Sequence, residues 1–233
     1  MSSIAENLSN VRARLGMACV QAGRAPGAAA LLAVSKTCPA EAVRAAHAAG
    51  QTAFGENYVQ EALAKIEALV DLRPQLQWHL IGPLQSNKTR QVAEAFDWVH
   101  SVDRLKVAQR LSAQRPAWLP PMQVCLQVNI SGEASKSGLA PHEVAPLAQA
   151  VAALPNLRLR GLMAIPEPAG DLAAQRLPHR ALAALLQTVN AATGLSLDTL
   201  SMGMSADLEA AVLEGATWVR VGTAVFGGRP AKA

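Results

Sequence analysis

Short apolar runs alternate with amphipathic segments along nearly the whole chain, and this alternation constrains the fold more than any other feature. Each run is typical of a strand buried on both faces, and a helical pattern or the chain end follows it. No hairpin signal interrupts the series. The predicted strands cover residues 31–36, 53–57, 76–82, 98–103, 122–129, 157–165, 199–202 and 218–221.

Eight strand–helix units within 233 residues predict an α/β fold, a single TIM (β/α)8 barrel, which typically takes about 250 residues. A doubly wound open sheet is the alternative, but it would need neither eight units nor such even spacing. Residues 3–23 precede the series and are predicted as an extra N-terminal amphipathic helix. Because no linker or change of composition interrupts the chain, residues 1–233 are expected to form one domain.

Proline and glycine mark the ends of the other predicted helices. Pro39 stands in the first turn of one helix, and Gly194 closes another. The Pro-rich segment 166–180 is predicted as a loop. The predicted helices cover 39–50, 58–70, 87–96, the segment before Pro116, 142–154, 180–192 and 205–215, with a last short helix after strand 8.

Composition and charge exclude several classes of protein. Charged residues make up 16% of the chain, too few for a disordered protein, and the net charge of +4 comes from scattered Lys and Arg rather than a basic cluster. No apolar run approaches 18 residues, and the N-terminus lacks the apolar core of a signal peptide. The three cysteines and five histidines show no metal-ligand spacing. We therefore expect a cytoplasmic protein that binds no metal, nucleic acid or membrane.

Lys36 ends the first predicted strand, with Ser35 between it and the apolar run 31–34. A primary amine at the end of a buried strand is costly to keep charged, which leaves more of the free amine to attack a carbonyl. The alternative is a strand-end lysine whose head reaches water. The remaining strand ends distinguish these two interpretations.

The ends of strands 7 and 8 carry small and hydroxyl residues where TIM barrels frequently bind phosphate. After strand 7, Gly203 allows close approach of a ligand, and Ser205 is predicted as the N-cap of the next helix. After strand 8, Gly222 stands beside Thr223. Ser205 could also merely cap its helix, and Gly222 could merely turn the chain, but their joint position favours a phosphate site.

A closed barrel places strand 8 beside strand 1, so the phosphate site and Lys36 should be neighbours. Pyridoxal 5′-phosphate (PLP) combines a phosphate, a ring and an aldehyde that forms a Schiff base with lysine. Arg220, two residues before Gly222, could hydrogen-bond the pyridine nitrogen and keep it unprotonated. Asn57 ends strand 2 and could contact the cofactor or cap a loop. His79 is predicted as a hydrogen-bonded core histidine, and Lys136 as part of a solvated loop.

Several ordered motifs resemble the pyridoxal phosphate homeostasis protein family, whose fold is similar to the N-terminal barrel domain of alanine racemase. The likeness extends from Ala33 to Gly227 and is weakest in segment 166–180. The motifs are Ala33-Val34-Ser35-Lys36-Thr37, Phe54-Gly55-Glu56-Asn57-Tyr58, His79-Leu80-Ile81-Gly82-Pro83-Leu84-Gln85-Ser86-Asn87-Lys88, Ser135-Lys136-Ser137-Gly138, Gly161-Leu162-Met163-Ala164-Ile165-Pro166, Ser201-Met202-Gly203-Met204-Ser205 and Val219-Arg220-Val221-Gly222-Thr223-Ala224-Val225-Phe226-Gly227.

The resemblance implies that Lys36 carries PLP, that the phosphate is held by Ser205, Gly222 and Thr223, and that Arg220 lies at the pyridine nitrogen. It further implies a PLP carrier or buffer that could supply apo-enzymes, without appreciable catalysis. The protein is expected to be a monomer.

The racemases take a second catalytic tyrosine from another domain, and this chain, with Tyr58 as its one tyrosine, is expected to lack such a partner. A PLP-dependent amino-acid racemase or lyase is the alternative, and a sugar-phosphate barrel enzyme is a third.

Overall fold

Eight parallel strands close into a barrel in the computed structural model, which describes residues 3–132 and 137–228. Each strand pairs with the next along the chain, and the last pairs with the first, with Leu32 opposite Arg220. The predicted barrel is confirmed, and the open sheet is excluded. The strands are β1 Ala30–Val34, β2 Ala53–Glu56, β3 Gln77–Leu80, β4 Trp98–Val102, β5 Met122–Gln127, β6 Leu157–Met163, β7 Thr199–Ser201 and β8 Trp218–Val221.

Helices surround the barrel and bury an aliphatic shell against the outer faces of the strands. Short 3₁₀ turns at Val70–Gln75, Ser86–Lys88 and Pro141–Glu143 supplement them. The helices are α1 Ile4–Gln21, α2 Ala40–Ala48, α3 Val59–Ala68, α4 Thr89–Ala95, α5 Leu105–Gln114, α6 Val144–Ala152, α7 Leu172–Thr193, α8 Leu208–Leu213 and α9 Thr223–Phe226.

The extra N-terminal helix is present as α1. Ser3 and Glu6 form a reciprocal capping box at its start, which satisfies two backbone donors that a helix end would otherwise leave open. The helix packs against α2, α8 and α9, and its buried residues are Leu8, Val11, Leu15, Ala18 and Cys19. It thus lies over the two helices that follow β7 and β8.

The prediction of a loop over 166–180 is wrong for its second half, because α7 begins at Leu172. The Asp171 side chain caps the helix by accepting the Ala174 amide, and Pro178 lies inside it. A proline in a helix interior costs about 3 kcal/mol. The buried stripe that α7 packs against the barrel outweighs this cost; it comprises His179, Leu182, Leu186 and Val189.

Two further findings concern only the described part of the chain. No helix within it is both long enough and apolar enough to cross a membrane. No group of three His, Cys, Asp or Glu side chains within it is arranged as metal ligands. Lys136, predicted in a solvated loop, lies outside the described residues.

Candidate binding site at the carboxyl ends of the strands

A pocket of about 450 Å³ opens at the carboxyl ends of the strands and is lined by residues that follow β1, β2, β7 and β8. Cys38, Met204 and Phe226 contribute to its walls. All six residues that the sequence predicts for the site line this one pocket: Lys36, Asn57, Ser205, Arg220, Gly222 and Thr223.

Lys36 lies in a turn two residues beyond the end of β1, not within the strand as predicted. The next residue, Thr37, has φ of +64°, a left-handed conformation that is uncommon for a residue other than glycine. The Thr37 backbone N–H donates to the Glu61 carboxylate, which holds this unusual conformation in place. The turn that presents the Lys36 amine is therefore fixed by contacts from α3.

A buried ion-pair network supports the same turn. The Lys65 ammonium, with 6% of its side chain exposed, donates to the Ser35 carbonyl at 2.6 Å, to Glu56 Oε1 at 2.7 Å and to Glu61 Oε1 at 2.6 Å. The Ser35 hydroxyl also donates to Glu56 Oε1, at 2.6 Å. Burial raises the pKa of Glu56, although Lys65 opposes this shift. The network ties the residue before Lys36 to the end of β2 and to α3.

Sequence reasoning missed this network. Glu56 and Lys65 attract no attention singly, because a carboxylate and an ammonium are ordinary surface groups. One signal was present: Glu56 stands in a short strand whose other residues are all uncharged and buried. A charge at such a position needs a partner, and the helix that follows is the nearest source of one.

Asn57 follows β2 and offers an acceptor to the pocket. Its Oδ1 atom is shielded from solvent and has no hydrogen-bond partner within the described residues. Buried polar atoms are nearly always partnered, so a donor from a bound ligand would satisfy this one. Gly82 allows the β3 loop to pack against Asn57, because a Cβ at Gly82 would lie 2.2 Å from the Asn57 carbonyl oxygen.

The loop after β7 has a conformation that requires glycine at its start. Gly203 has φ of +87°, and a Cβ there would lie 2.4 Å from the Ala211 side chain. Ser205 is not the N-cap of the next helix, as the sequence predicted, because residues 205–207 form a turn and α8 begins only at Leu208. The Asp207 carboxylate accepts the Met204 amide at 2.6 Å and closes this turn, so Ser205 lies three residues outside the helix.

Gly222 brings the end of β8 close to the end of β1. A Cβ at this position would lie 3.2 Å from the Val34 carbonyl oxygen, which is closer than most Cβ atoms approach another atom. Thr223 follows as the first residue of α9. The hydroxyl residue after β8 is therefore placed beside the turn that carries Lys36.

Arg220 is buried inside the barrel and lines the pocket floor. Its guanidinium donates to the Ser201 carbonyl at 2.6 Å, to Ser201 Oγ at 2.9 Å and to the Ala164 carbonyl at 2.8 Å. Burial lowers the pKa of Arg220 to about 10, so the group remains cationic at neutral pH. These three bonds fix the guanidinium against β6 and β7.

A chain of buried groups continues from Arg220 through the barrel interior. Ser201 Oγ, which accepts from Arg220, also forms a hydrogen bond with His100 Nδ1, at 2.7 Å. His100 Nε2 in turn lies within hydrogen-bond distance of His79 Nδ1, at 3.0 Å. Burial lowers the pKa of both imidazoles, that of His100 to about 3, so both are neutral. The predicted role of His79 as a hydrogen-bonded core histidine is confirmed.

The pocket lining favours an anionic ligand that carries an electrophilic carbonyl. Of the described residues that line it, Lys36 is the one lysine, Arg220 the one arginine, and none is acidic. Ser205 and Thr223 add hydroxyl groups on the side where β7 and β8 end. Cationic and hydroxyl donors stabilise phosphate, and a lysine amine attacks aldehydes.

Comparison with known proteins identifies the family. The family model for the alanine racemase N-terminal domain matches residues 2–230. A pyridoxal phosphate homeostasis protein from Pseudomonas aeruginosa is 66% identical over 229 residues, which cover 98% of this chain and 97% of that protein. The chain belongs to the pyridoxal phosphate homeostasis protein family. Its counterpart in Escherichia coli K12 is 53% identical over 235 residues and 98% of each chain, and the resemblance seen in the sequence is confirmed.

Solved structures match the barrel as well. PipY of Synechococcus elongatus PCC7942, described with PLP bound, is 40% identical with a TM-score of 0.84, over 97% of this chain and 100% of that one. An alanine racemase from Clostridium difficile 630 superimposes with a TM-score of 0.72 at 13% identity, a likeness of fold alone. The match covers 99% of this chain but 58% of the racemase.

Proposed function

We propose that this protein binds PLP in the pocket at the end of the barrel and serves intracellular PLP homeostasis as a carrier or buffer. The observation that carries the proposal is the convergence of all six predicted residues on one pocket that has a single lysine among its described lining residues. The homeostasis role named for the relatives and the PLP bound in PipY support it.

The residues present fit PLP on each of its functional groups. When bound, PLP supplies an aldehyde, an aromatic nitrogen and a phosphate. The Lys36 amine would hold the aldehyde, and Ser205, Thr223 and the backbone at Gly222 would hold the phosphate. Asn57 Oδ1, buried without a partner in the described residues, accepts a hydrogen bond from a ligand donor.

Arg220 sets the character of the bound ring. A guanidinium keeps its protons, so Arg220 donates a hydrogen bond to the ring nitrogen and holds it unprotonated. Its attachments to Ser201 and Ala164 prevent it from swinging away. An unprotonated nitrogen withdraws fewer electrons, which weakens the ring as an electron sink and disfavours amino-acid chemistry.

The described lining residues favour a carrier over a racemase or lyase. Racemisation needs an acid or base on each face of the substrate carbon. Apart from Lys36, the described lining offers only the Cys38 thiol and the Arg220 guanidinium as titratable groups. Tyr58 is 58% exposed and is not among the lining residues. We infer that the bound cofactor is held for release to apo-enzymes in the cytoplasm and is not used in turnover.

A spectroscopic titration with matched lysine variants tests the proposal. The wild-type protein, Lys36→Ala and Lys106→Ala are titrated with PLP, and the visible absorption of the lysine-bound cofactor is followed. Lys106 is exposed on α5 and serves as the control. Wild type and Lys106→Ala should both develop the band, and Lys36→Ala should lose it while retaining its fold.

A band of undiminished strength in Lys36→Ala would contradict the proposal. If the protein bound a sugar phosphate and developed no visible band with PLP, the alternative of a sugar-phosphate barrel enzyme would be favoured.

A further inference from the structure

The N-terminal helix α1 stands outside the strand–helix alternation, yet it is bonded to both segments of the proposed phosphate site. Arg14 donates through Nη1 to the Ser205 carbonyl at 2.9 Å. Its Nε and Nη2 atoms donate to the two carboxylate oxygens of Glu209, each at 2.6 Å. Asn7 Nδ2 donates to the Val225 carbonyl of α9 at 3.0 Å. One helix therefore holds the loop after β7 and the helix after β8.

A second contact fixes the same loop from the side of α7. His179, which is 1% exposed, donates through Nε2 to Asp207 Oδ2 at 2.8 Å. Asp207 Oδ1 accepts the Met204 amide and so closes the turn that contains Ser205. Burial tends to raise the pKa of Asp207, but the hydrogen bonds from His179 and the Met204 amide outweigh it and lower that pKa, so the carboxylate is charged.

The end of the loop and the first turn of α8 thus carry two carboxylates, Asp207 and Glu209, close in the chain to residues proposed to bind a phosphate dianion. Arg14 neutralises one of them, and its hydrogen bonds lower the pKa of Glu209. Removal of Arg14 would have two consequences. The Ser205 backbone would lose its tether, and Glu209 would become an unpaired negative charge near the phosphate. Both consequences act at the segment proposed to bind the phosphate.

Neither Arg14 nor its partner Glu209 is among the described residues that line the pocket. We propose that Arg14 is a positioning residue that gives the pocket its selectivity for phosphorylated over unphosphorylated forms of the pyridoxal ring. It acts by holding the Ser205 carbonyl in place and by neutralising the negative charge of Glu209. The inference rests on the proposed PLP binding, because it concerns the phosphate end of the same pocket.

The test compares two ligands and two arginine variants of one helix. PLP and 5′-deoxypyridoxal, which has the same ring and aldehyde but no phosphate, are titrated into wild type, Arg14→Gln and Arg12→Gln. Arg12 also lies on α1, but it donates to the Ala49 carbonyl and to Gln51 Oε1 in the segment before β2, so it is the matched control.

Arg14→Gln should lose roughly tenfold in PLP affinity, because the Ser205 backbone is no longer held in place and the charge of Glu209 is no longer neutralised. Its affinity for 5′-deoxypyridoxal should stay within about twofold of wild type. Arg12→Gln should match wild type for both ligands. The double variant Arg14→Gln with Glu209→Gln should recover part of the lost PLP affinity, because the unpaired carboxylate is gone.

If the ratio of PLP affinity to 5′-deoxypyridoxal affinity in Arg14→Gln equals that of wild type, the inference is overturned. This holds whether both affinities remain at the wild-type value or both decrease by the same factor. If Arg14→Gln does not fold, as judged by its thermal unfolding midpoint, Arg14→Lys replaces it. Lysine keeps the charge but cannot bond the Ser205 carbonyl and both oxygens of Glu209 at once. We therefore expect the ratio of PLP affinity to 5′-deoxypyridoxal affinity to fall less than in Arg14→Gln. An unchanged ratio in Arg14→Lys would overturn the inference. Failure of wild type to prefer PLP over 5′-deoxypyridoxal would instead overturn the proposed phosphate site itself.

Discussion

Replacement of Lys65 by methionine tests the network that holds the Lys36 turn. Methionine fills a similar volume but removes the ammonium that contacts Ser35, Glu56 and Glu61. Glu56, which is fully buried, is then left without its charged partner. Removal of one partner of a buried ion pair typically costs about 3–5 kcal/mol. We expect Lys65→Met to lose that much free energy of unfolding near pH 8 and to bind PLP more weakly.

The pH dependence identifies Glu56 as the source of the loss. Burial already raises the pKa of Glu56 above its ordinary value, so folding favours the protonated form. A carboxyl with a raised pKa stabilises the folded state fully at pH values below its pKa in the unfolded chain, about 4.3. This contribution is lost as the pH rises through its pKa in the folded protein. Without Lys65 the pKa rises further. The destabilisation of Lys65→Met should therefore be smaller near pH 5 than near pH 8, by about 1.4 kcal/mol for each added unit of pKa.

Urea unfolding at both pH values, monitored by circular dichroism, measures these free energies. Lys106→Met, on the exposed face of α5, is the matched control and should change stability by less than about 0.5 kcal/mol. The double variant Lys65→Met with Glu56→Gln should recover part of the loss near pH 8, because the neutral amide needs no counter-charge. A loss in Lys65→Met that is equal at both pH values, or absent, would refute this reasoning.

Three further predictions concern the pocket. Ser205→Ala should weaken PLP binding roughly tenfold in a titration while leaving 5′-deoxypyridoxal unaffected, and equal losses for both ligands would contradict a phosphate contact at Ser205. Cys38 lines the pocket, whereas Cys19 and Cys125 are fully buried. The Cys38 thiol should therefore be alkylated rapidly, and bound PLP should slow that alkylation. If PLP protected none of the three thiols, or all of them, the pocket assignment would be contradicted. The PLP-loaded protein should not measurably racemise alanine or convert it to a keto acid. Turnover of about 1–1000 per second that Lys36→Ala abolishes would favour a racemase or lyase.

The sequence predicts the barrel well because the fold depends on a repeated local pattern. Each buried run and the helix after it can be recognised within a short window, and barrel closure then brings distant strand ends together. For this reason the sequence alone predicts one pocket for Lys36 and Arg220, which are far apart along the chain. Glycine and hydroxyl residues at the ends of strands 7 and 8 predicted the part of the pocket that binds phosphate.

What the sequence did not predict depends on contacts between distant side chains. Pro178 indicated a loop, but the burial of one face of α7 outweighed the local cost of proline. Ser205 had the chemistry of an N-cap, yet Asp207 closes a turn that delays the helix to Leu208. The bonds from Arg14 to the Ser205 loop join residues about 190 positions apart, and no window of the sequence indicates them.

Covalent trapping of the cofactor tests the central proposal most directly. The protein is incubated with PLP, reduced with borohydride, digested, and mapped by mass spectrometry. The pyridoxyl group should be found on the peptide that contains Lys36, at close to one group per chain. Omission of PLP is the control. A pyridoxyl group found on other lysines while the Lys36 peptide stays unmodified would contradict the assignment of the pocket as the PLP site.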